Sequence, residues 1–305
     1  MSRLSKKESV RAELDRLAEE NARLKLMLRE QDSTKNGIKN NSVKKNRAKK
    51  KQKSFSFKII GTILIVTGLV LLVLLMYGTY KNYKRARDIK KLQEERTSAF
   101  GQDVPVDSIL PEYRKMYKTN SDLVGWIVID GTDINYPVVQ SKTYQEFYLD
   151  HNFDGEEDEA GSIFIDARND VSLPDDNIII YGHNMKNGSM FGTLQHYLDK
   201  DYYEEHSIVS FDTLHKRRIY KIAAVGLSKI SDESDDTFKY YDFLNAENKK
   251  SFNKYVKNIQ SLEAYETGVR LEYGDKLITL STCNSVEEDG RLFIIAKEVE
   301  DDEES

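Results

Sequence analysis

Very few residues in this chain of 305 can do covalent chemistry at neutral pH: one cysteine, Cys283, and five histidines, His151, His183, His196, His206 and His215. Cys283 ends an apolar stretch, Leu277 to Thr282, and precedes polar and acidic residues, which puts it where a strand gives way to a loop. A lone cysteine is ordinarily a small buried apolar residue. To act as a nucleophile it must be a thiolate, and a free pKa of about 8.5 leaves little thiolate at pH 7 unless a base or cation stands beside it. His183 is the histidine best placed to be that base. It follows the apolar run 177–181 directly in "YGHNM", with Gly182 permitting close backbone approach. A hydrogen-bonded loop histidine is the other reading of the same spacing. Arg291 opens the last apolar run eight residues after Cys283. Its guanidinium, always charged and forked, can hold a peptide carbonyl or the oxyanion formed on attack, or it can pair with Glu287, Glu288 or Asp289.

These residues need strand ends to hold them. Eight short β-rich runs are spaced along 124–129, 135–139, 161–165, 177–182, 207–211, 218–226, 276–283 and 291–299. Gly, Asn and Asp separate them, the pattern of a barrel or sandwich. Two stretches read as helix, 191–198 and 246–262, the second with Phe252, Tyr255, Val256 and Ile259 at helical spacing. The fold expected is therefore mainly β, a closed barrel or sandwich with peripheral helices over 105–299, followed by an acidic tail, 300–305.

The N-terminal third is of a different kind. Residues 1–96 carry 25 Lys/Arg against 10 Asp/Glu, and the remainder 21 against 41. Near the end of the basic part, 59–80 is uncharged and apolar for 22 residues, enough to cross a bilayer as a helix at about 1.5 Å per residue. Ten basic and no acidic residues lie between Lys35 and Lys58, against seven basic and three acidic in 81–96. That bias keeps the N-terminus cytoplasmic and puts the C-terminal part outside the cell, as a single-pass protein of the cell membrane. An unpaired thiol outside the cell is a liability unless it is inert, pairs with another chain or reacts. Residues 1–34 hold a short heptad pattern, with Val10, Leu17 and Leu24 at one seam position and Leu14, Asn21 and Leu28 at the other. This is either an amphipathic helix or a coil joining two copies. Residues 35–58 read as a basic disordered linker against anionic lipid, and 81–104 as a charged helical stalk.

"TLSTC" at 279–283, Arg291 downstream and a histidine in "YGHN" about a hundred residues upstream resemble the sortases, thiol transpeptidases of Gram-positive bacteria. The segments 147–166 and 188–199 and the helix before the "TLSTC" strand are similar to class B members. The resemblance covers roughly 105–299. It implies an eight-stranded barrel that recognises a C-terminal sorting motif on a secreted protein. Cys283 would be the nucleophile that forms a thioacyl-enzyme, and His183 the acid and base. Arg291 would bind a motif carbonyl or the oxyanion, and Thr282 would offer a hydroxyl or N–H to the same oxygen. The acceptor amine would come from the peptidoglycan cross-bridge. Ser281, Asn152, Tyr241 and Tyr255 are further candidates for contact with the substrate. No cofactor, metal or nucleic acid is expected. The acidic runs 154–159 and 231–236 lack ordered calcium-loop spacing, and Asn284 stands where some class B members have an acid. A thiol hydrolase of the same motif and a non-catalytic membrane adaptor are the alternatives.

Overall fold

The computed structural model describes residues 4–100, 108–142, 144, 146–171, 175–229, 238–283 and 290–299; for 4–10, 14, 36–59 and Cys283 it describes the backbone. The chain divides into two units, Met1–Tyr83 and Lys84–Ser305.

The first unit is helical throughout its described length, within helix α1 (Leu4–Ala99). Residues 35–58, the basic linker segment, lie within this helix. Lys, Arg, Ala and Gln dominate 44–53, and these are good helix formers that need no apolar face to propagate a helix already nucleated on either side. From Ile60 the helix is long and apolar enough to cross a membrane, and none of its apolar window is buried in protein.

In the second unit eight strands close into a barrel: β1 (Leu123–Val128), β2 (Asn135–Val139), β3 (Ile163–Ile165), β4 (Asn177–Tyr181), β5 (Ile208–Thr213), β6 (Ile219–Lys229), β7 (Leu277–Cys283) and β8 (Gly290–Val299). Their order around the barrel is β1-β2-β3-β4-β7-β8-β6-β5, with β1 closing against β5. All eight runs read from the sequence are strands. Two neighbouring pairs are parallel, β2 with β3 and β4 with β7. Alternation along β7 and β8 divides their side chains between two cores. Ile278, Leu280, Leu292 and Ile294 fill the barrel, while Leu277, Phe293 and Ile295 pack on the outer face against Tyr240, Phe252 and Tyr255.

That outer face is covered by the β6–β7 connection, whose helix α4 (Lys249–Gln260) lies within the expected 246–262. Its start is fixed by a capping box. Asn248 Oδ1 accepts from the Lys250 and Ser251 N–H groups, and Ser251 Oγ accepts from the Asn248 N–H. Phe252, Tyr255 and Ile259 form its buried face. The helix expected at 191–198 is a 3-10 helix, Gly192–Leu198. The described residues of the unit also include the short helices α2 (Pro111–Thr119) and α3 (Lys200–Glu205).

The charged segment after residue 83, expected as a helical stalk, is helical to Ala99 and packs on the barrel. Ile89 and Leu92 lie against the cores, and polar contacts flank them. Arg85 binds Asp158 through both Nε and Nη2, with both side chains nearly buried. Lys84 Nζ meets Glu156 at 2.7 Å in the open, and Gln93 Nε2 donates to the Asn135 carbonyl at 2.9 Å. Asp212, 5 % exposed, accepts from Tyr113 Oη at 2.7 Å and from Arg96 Nη2 at 3.3 Å. Charge density alone suggests solvation, whereas these charges have acceptors on the barrel.

Asp212 and Lys84 should therefore differ sharply under substitution. Asp212→Ala strands a buried hydroxyl and guanidinium and should cost on the order of 3 kcal/mol, and Lys84→Ala less than about 1 kcal/mol. Urea unfolding of the portion from Lys84 onward measures both.

Candidate active site

The site is set by strand register. β4 and β7 run parallel with Tyr181 beside Ser281, and the Gly182 N–H extends the ladder by donating to the Ser281 carbonyl at 3.2 Å. Two residues past that pair lie His183 on one strand's exit and Cys283 on the other's. β7 and β8 are antiparallel, and Cys283 is the partner of Arg291 in their register. Neighbouring strands are about 4.8 Å apart, so the backbone brings the three positions to one rim of the barrel. The loop 284–289, with the acidic residues weighed as partners of Arg291, lies outside the described residues.

A cleft of about 270 Å³ opens at this rim, lined by Tyr181, Gly182 and His183 from β4 and its exit, Ser281 and Thr282 from β7, and Arg291 from β8. Glu146, Leu149, Phe164 and Asp166 complete the lining. Gly182 is a packing requirement. A Cβ there would fall 2.5 Å from Ile163 Cδ1 and 2.7 Å from Phe191 Cδ2, closer than side chains tolerate.

His183 is half-buried, and its Nε2 lies 2.7 Å from the Leu149 carbonyl oxygen. A carbonyl only accepts, so Nε2 carries the hydrogen and Nδ1 is left for proton exchange. The His183 carbonyl in turn accepts from the Phe191 N–H at 2.9 Å. Met190, in the left-handed region at φ 56°, closes that loop by donating its N–H to Tyr136 Oη at 3.0 Å. Arg291 is partly buried, and its Nη1 donates to the Gly290 carbonyl at 3.3 Å.

The other expected contacts are distributed differently. Ser281 Oγ shares a 2.6 Å hydrogen bond with Tyr240 Oη, which ties β7 to the β6–β7 connection. The Thr282 hydroxyl is buried without a protein partner among the described residues. Tyr241 sits on a 3-10 turn, Tyr240–Asp242, beside the site, and the contact that fixes it is through its carbonyl. Tyr255 is buried on α4, stacked on Phe243 at 3.9 Å, so it supports the wall and does not line the cleft. Asn152 lines a separate cavity beneath α1, where its Oδ1 accepts from the Asp154 and Glu156 N–H groups and shapes a turn. Helical periodicity places Tyr255 on a buried face without saying what lies opposite. A polar loop residue such as Asn152 looks alike in sequence whether it serves a turn or a ligand.

Two features escape a sequence reading. One is the Leu149 carbonyl, which has no signature because every residue has one. The other is a clamp on the cleft wall. Arg168 reaches both oxygens of Asp166, through Nε at 2.9 Å and Nη2 at 2.8 Å. The same guanidinium donates to the Tyr241 carbonyl at 2.8 Å and to Asp242 Oδ1 at 3.2 Å. Tyr181 Oη donates to Asp166 Oδ2 at 3.0 Å. Burial opposes the Asp166 charge, but the Arg168 side chain and N–H, with the Tyr181 hydroxyl, outweigh it and hold the carboxyl below its ordinary range. Burial and the Asp166 charge together push the Tyr181 hydroxyl strongly upward, so it stays protonated as a donor. Among the described residues no His, Cys, Asp and Glu cluster is arranged to hold a metal ion.

Comparison with known proteins gives the family. The Sortase domain family model matches residues 127–299, and the chain belongs to the sortase family. Its nearer kinship is with class B. It is 40 % identical to Sortase B of Listeria monocytogenes over 188 residues, 61 % of this chain and 73 % of that protein. It is 30 % identical to Sortase B of Staphylococcus aureus over 241 residues, 76 % of this chain and 95 % of that one. Two crystal structures of sortase B, one a substrate complex of the Staphylococcus aureus enzyme and one a complex with triglycine, each superpose with a TM-score of 0.64 at 28 % identity, over 72 % of this chain and 99 % of theirs. The chain is thus a cysteine transpeptidase of the class B sortase type.

The Asp166 clamp makes a signed prediction. A carboxyl whose folded pKa is depressed stabilises the fold above its unfolded value, about 3.9, and loses that contribution as pH falls through the folded value. Arg168→Met should lower the urea midpoint at pH 7, with the deficit shrinking as pH falls below the unfolded value of about 3.9, where the unfolded carboxyl takes up its proton. A deficit of equal size above and below that value would exclude the charge pairing as its cause.

Proposed function

We propose that this sortase is held in the cell membrane by the helix over 59–80, N-terminus inside and barrel outside. There it cleaves a C-terminal sorting motif on secreted proteins and transfers the new carbonyl to an amine of the peptidoglycan cross-bridge. The observation that carries this reading is the shared rim: Cys283 opposite Arg291 in the β7–β8 register, and His183 at the matching exit of β4. The substrate and triglycine complexes of the sortase B relatives support a peptide donor and an amine acceptor for this chain too.

Cys283, as thiolate, attacks the scissile carbonyl and forms a C–S bond. Arg291 offsets the negative charge that moves onto the carbonyl oxygen. The C–N bond breaks as His183 delivers a proton from Nδ1 to the leaving amine, which yields a thioacyl-enzyme. An incoming amine then attacks that thioester, gives its proton to Nδ1, and the thiolate leaves. Holding Nε2–H on the Leu149 carbonyl keeps the ring oriented through both steps. Arg168 acts indirectly, by fixing Asp166 in the cleft lining and the adjoining turn of Tyr241.

Cys283→Ala should abolish both peptide cleavage and the thioester adduct seen by mass spectrometry. Arg291→Lys keeps the charge but loses the fork, and should lower kcat/KM by on the order of a hundredfold or more. With triglycine present the parent should release mainly the transpeptidation product. A yield of free acid unaffected by the amine would instead assign the thioester to water and refute the transferase reading. Retention in the membrane fraction, with the barrel cleaved by protease added to intact protoplasts, tests the topology.

A further inference from the structure

The heptad face near the start of α1 takes no part in the chemistry above. Residues 10–28 lie within the helix, and Leu17, Leu24 and Leu28 are more than half exposed there. With Leu14, Asn21 and Leu28 at position a, Val10, Leu17 and Leu24 occupy position d. The phase is that of a two-stranded seam.

We propose that this face is an interface between two copies of the chain, joined as a parallel, in-register coiled coil over 10–28. Three features choose this occupant and its direction. Asn21 is the one polar residue among the six seam positions. In a parallel pair it meets the same asparagine of the second copy, and two carboxamides satisfy each other; in an antiparallel pair a faces d, and its amide would be buried against leucine. Flanking charges agree. Position g holds Glu13 and Glu20, and position e holds Arg11 and Lys25. Parallel strands set Glu20 of each copy beside Lys25 of the other, whereas antiparallel strands set g against g and e against e, with like charges meeting. Finally, a segment of fewer than three heptads is marginal alone. An anchor that confines both copies to one membrane surface raises their effective concentration. Only this last point draws on the membrane reading; direction and register do not.

The test uses the full chain in isolated membranes, with Cys283→Ala as background so that every thiol is introduced. Single substitutions Leu17→Cys and Leu24→Cys, at d, should form interchain disulfides under mild oxidation. Ala22→Cys and Leu26→Cys, at b and f, should cross-link roughly tenfold less, because those positions face away from the seam. In the Leu17→Cys background, Glu20→Lys and Lys25→Glu should each reduce cross-linking, and the two together should restore it. Similar yields all round the helix, no disulfide at 17 and 24, or a double exchange that fails to restore pairing would each overturn the proposal. Sedimentation with membranes, read on the same samples, reports the anchor separately.

Discussion

The parallel pairing of β4 with β7 is the constraint on which the active rim depends. These strands are far apart in sequence, and between them lie two other strands, α3 and the whole β6–β7 connection. Their register aligns Tyr181 with Ser281. A slip of one residue would exchange the faces of every side chain on the strand, moving Ile178 and Ile180 out of the barrel core. The hydrophobic interior therefore fixes the position of the histidine relative to the cysteine, and the geometry of the rim is a by-product of packing Ile178, Ile180, Ile278 and Leu280 on one side.

The outer face of the same strands is fixed from a second direction. Asn177 Nδ2 donates to the Phe243 carbonyl, Thr279 Oγ1 donates to Asn177 Oδ1, and Ser281 shares a hydrogen with Tyr240. Arg168 then binds the Tyr240–Asp242 turn from the β3–β4 side. The β6–β7 connection is thus bound to the sheet by polar contacts at buried or half-buried positions, which are costly to break because each lost partner leaves an unsatisfied group. The cleft wall is accordingly a continuation of the barrel.

Much of this is legible in the sequence for a physical reason: the strands are short, β-branched and punctuated by Gly, Asn and Asp, so period and turn chemistry agree. Cys283, His183 and Arg291 stand out because their residue types and strand-end positions suit thiol chemistry, and Gly182 because a strand exit next to a histidine demands close approach. Pairing across distance is what the sequence hides. Nothing local to Asp166 or Arg168 announces that they brace Tyr181 and Tyr241, and nothing in 84–96 announces that Arg85 and Arg96 have buried carboxylates waiting. Tyr255 and Asn152 show the converse, residue types suited to binding whose places in the fold are given to packing and to a turn.

The imidazole of His183 is steadied by a main-chain oxygen, and this has consequences for how the enzyme can vary. A side-chain carboxylate in that role would titrate, would add a negative charge at the rim, and could be lost in one codon change. The Leu149 carbonyl does none of these: it is neutral at every pH and persists whatever side chain residue 149 carries. Scanning substitutions would therefore leave this support invisible, and only a change in the path of the chain between Phe147 and His151 could withdraw it.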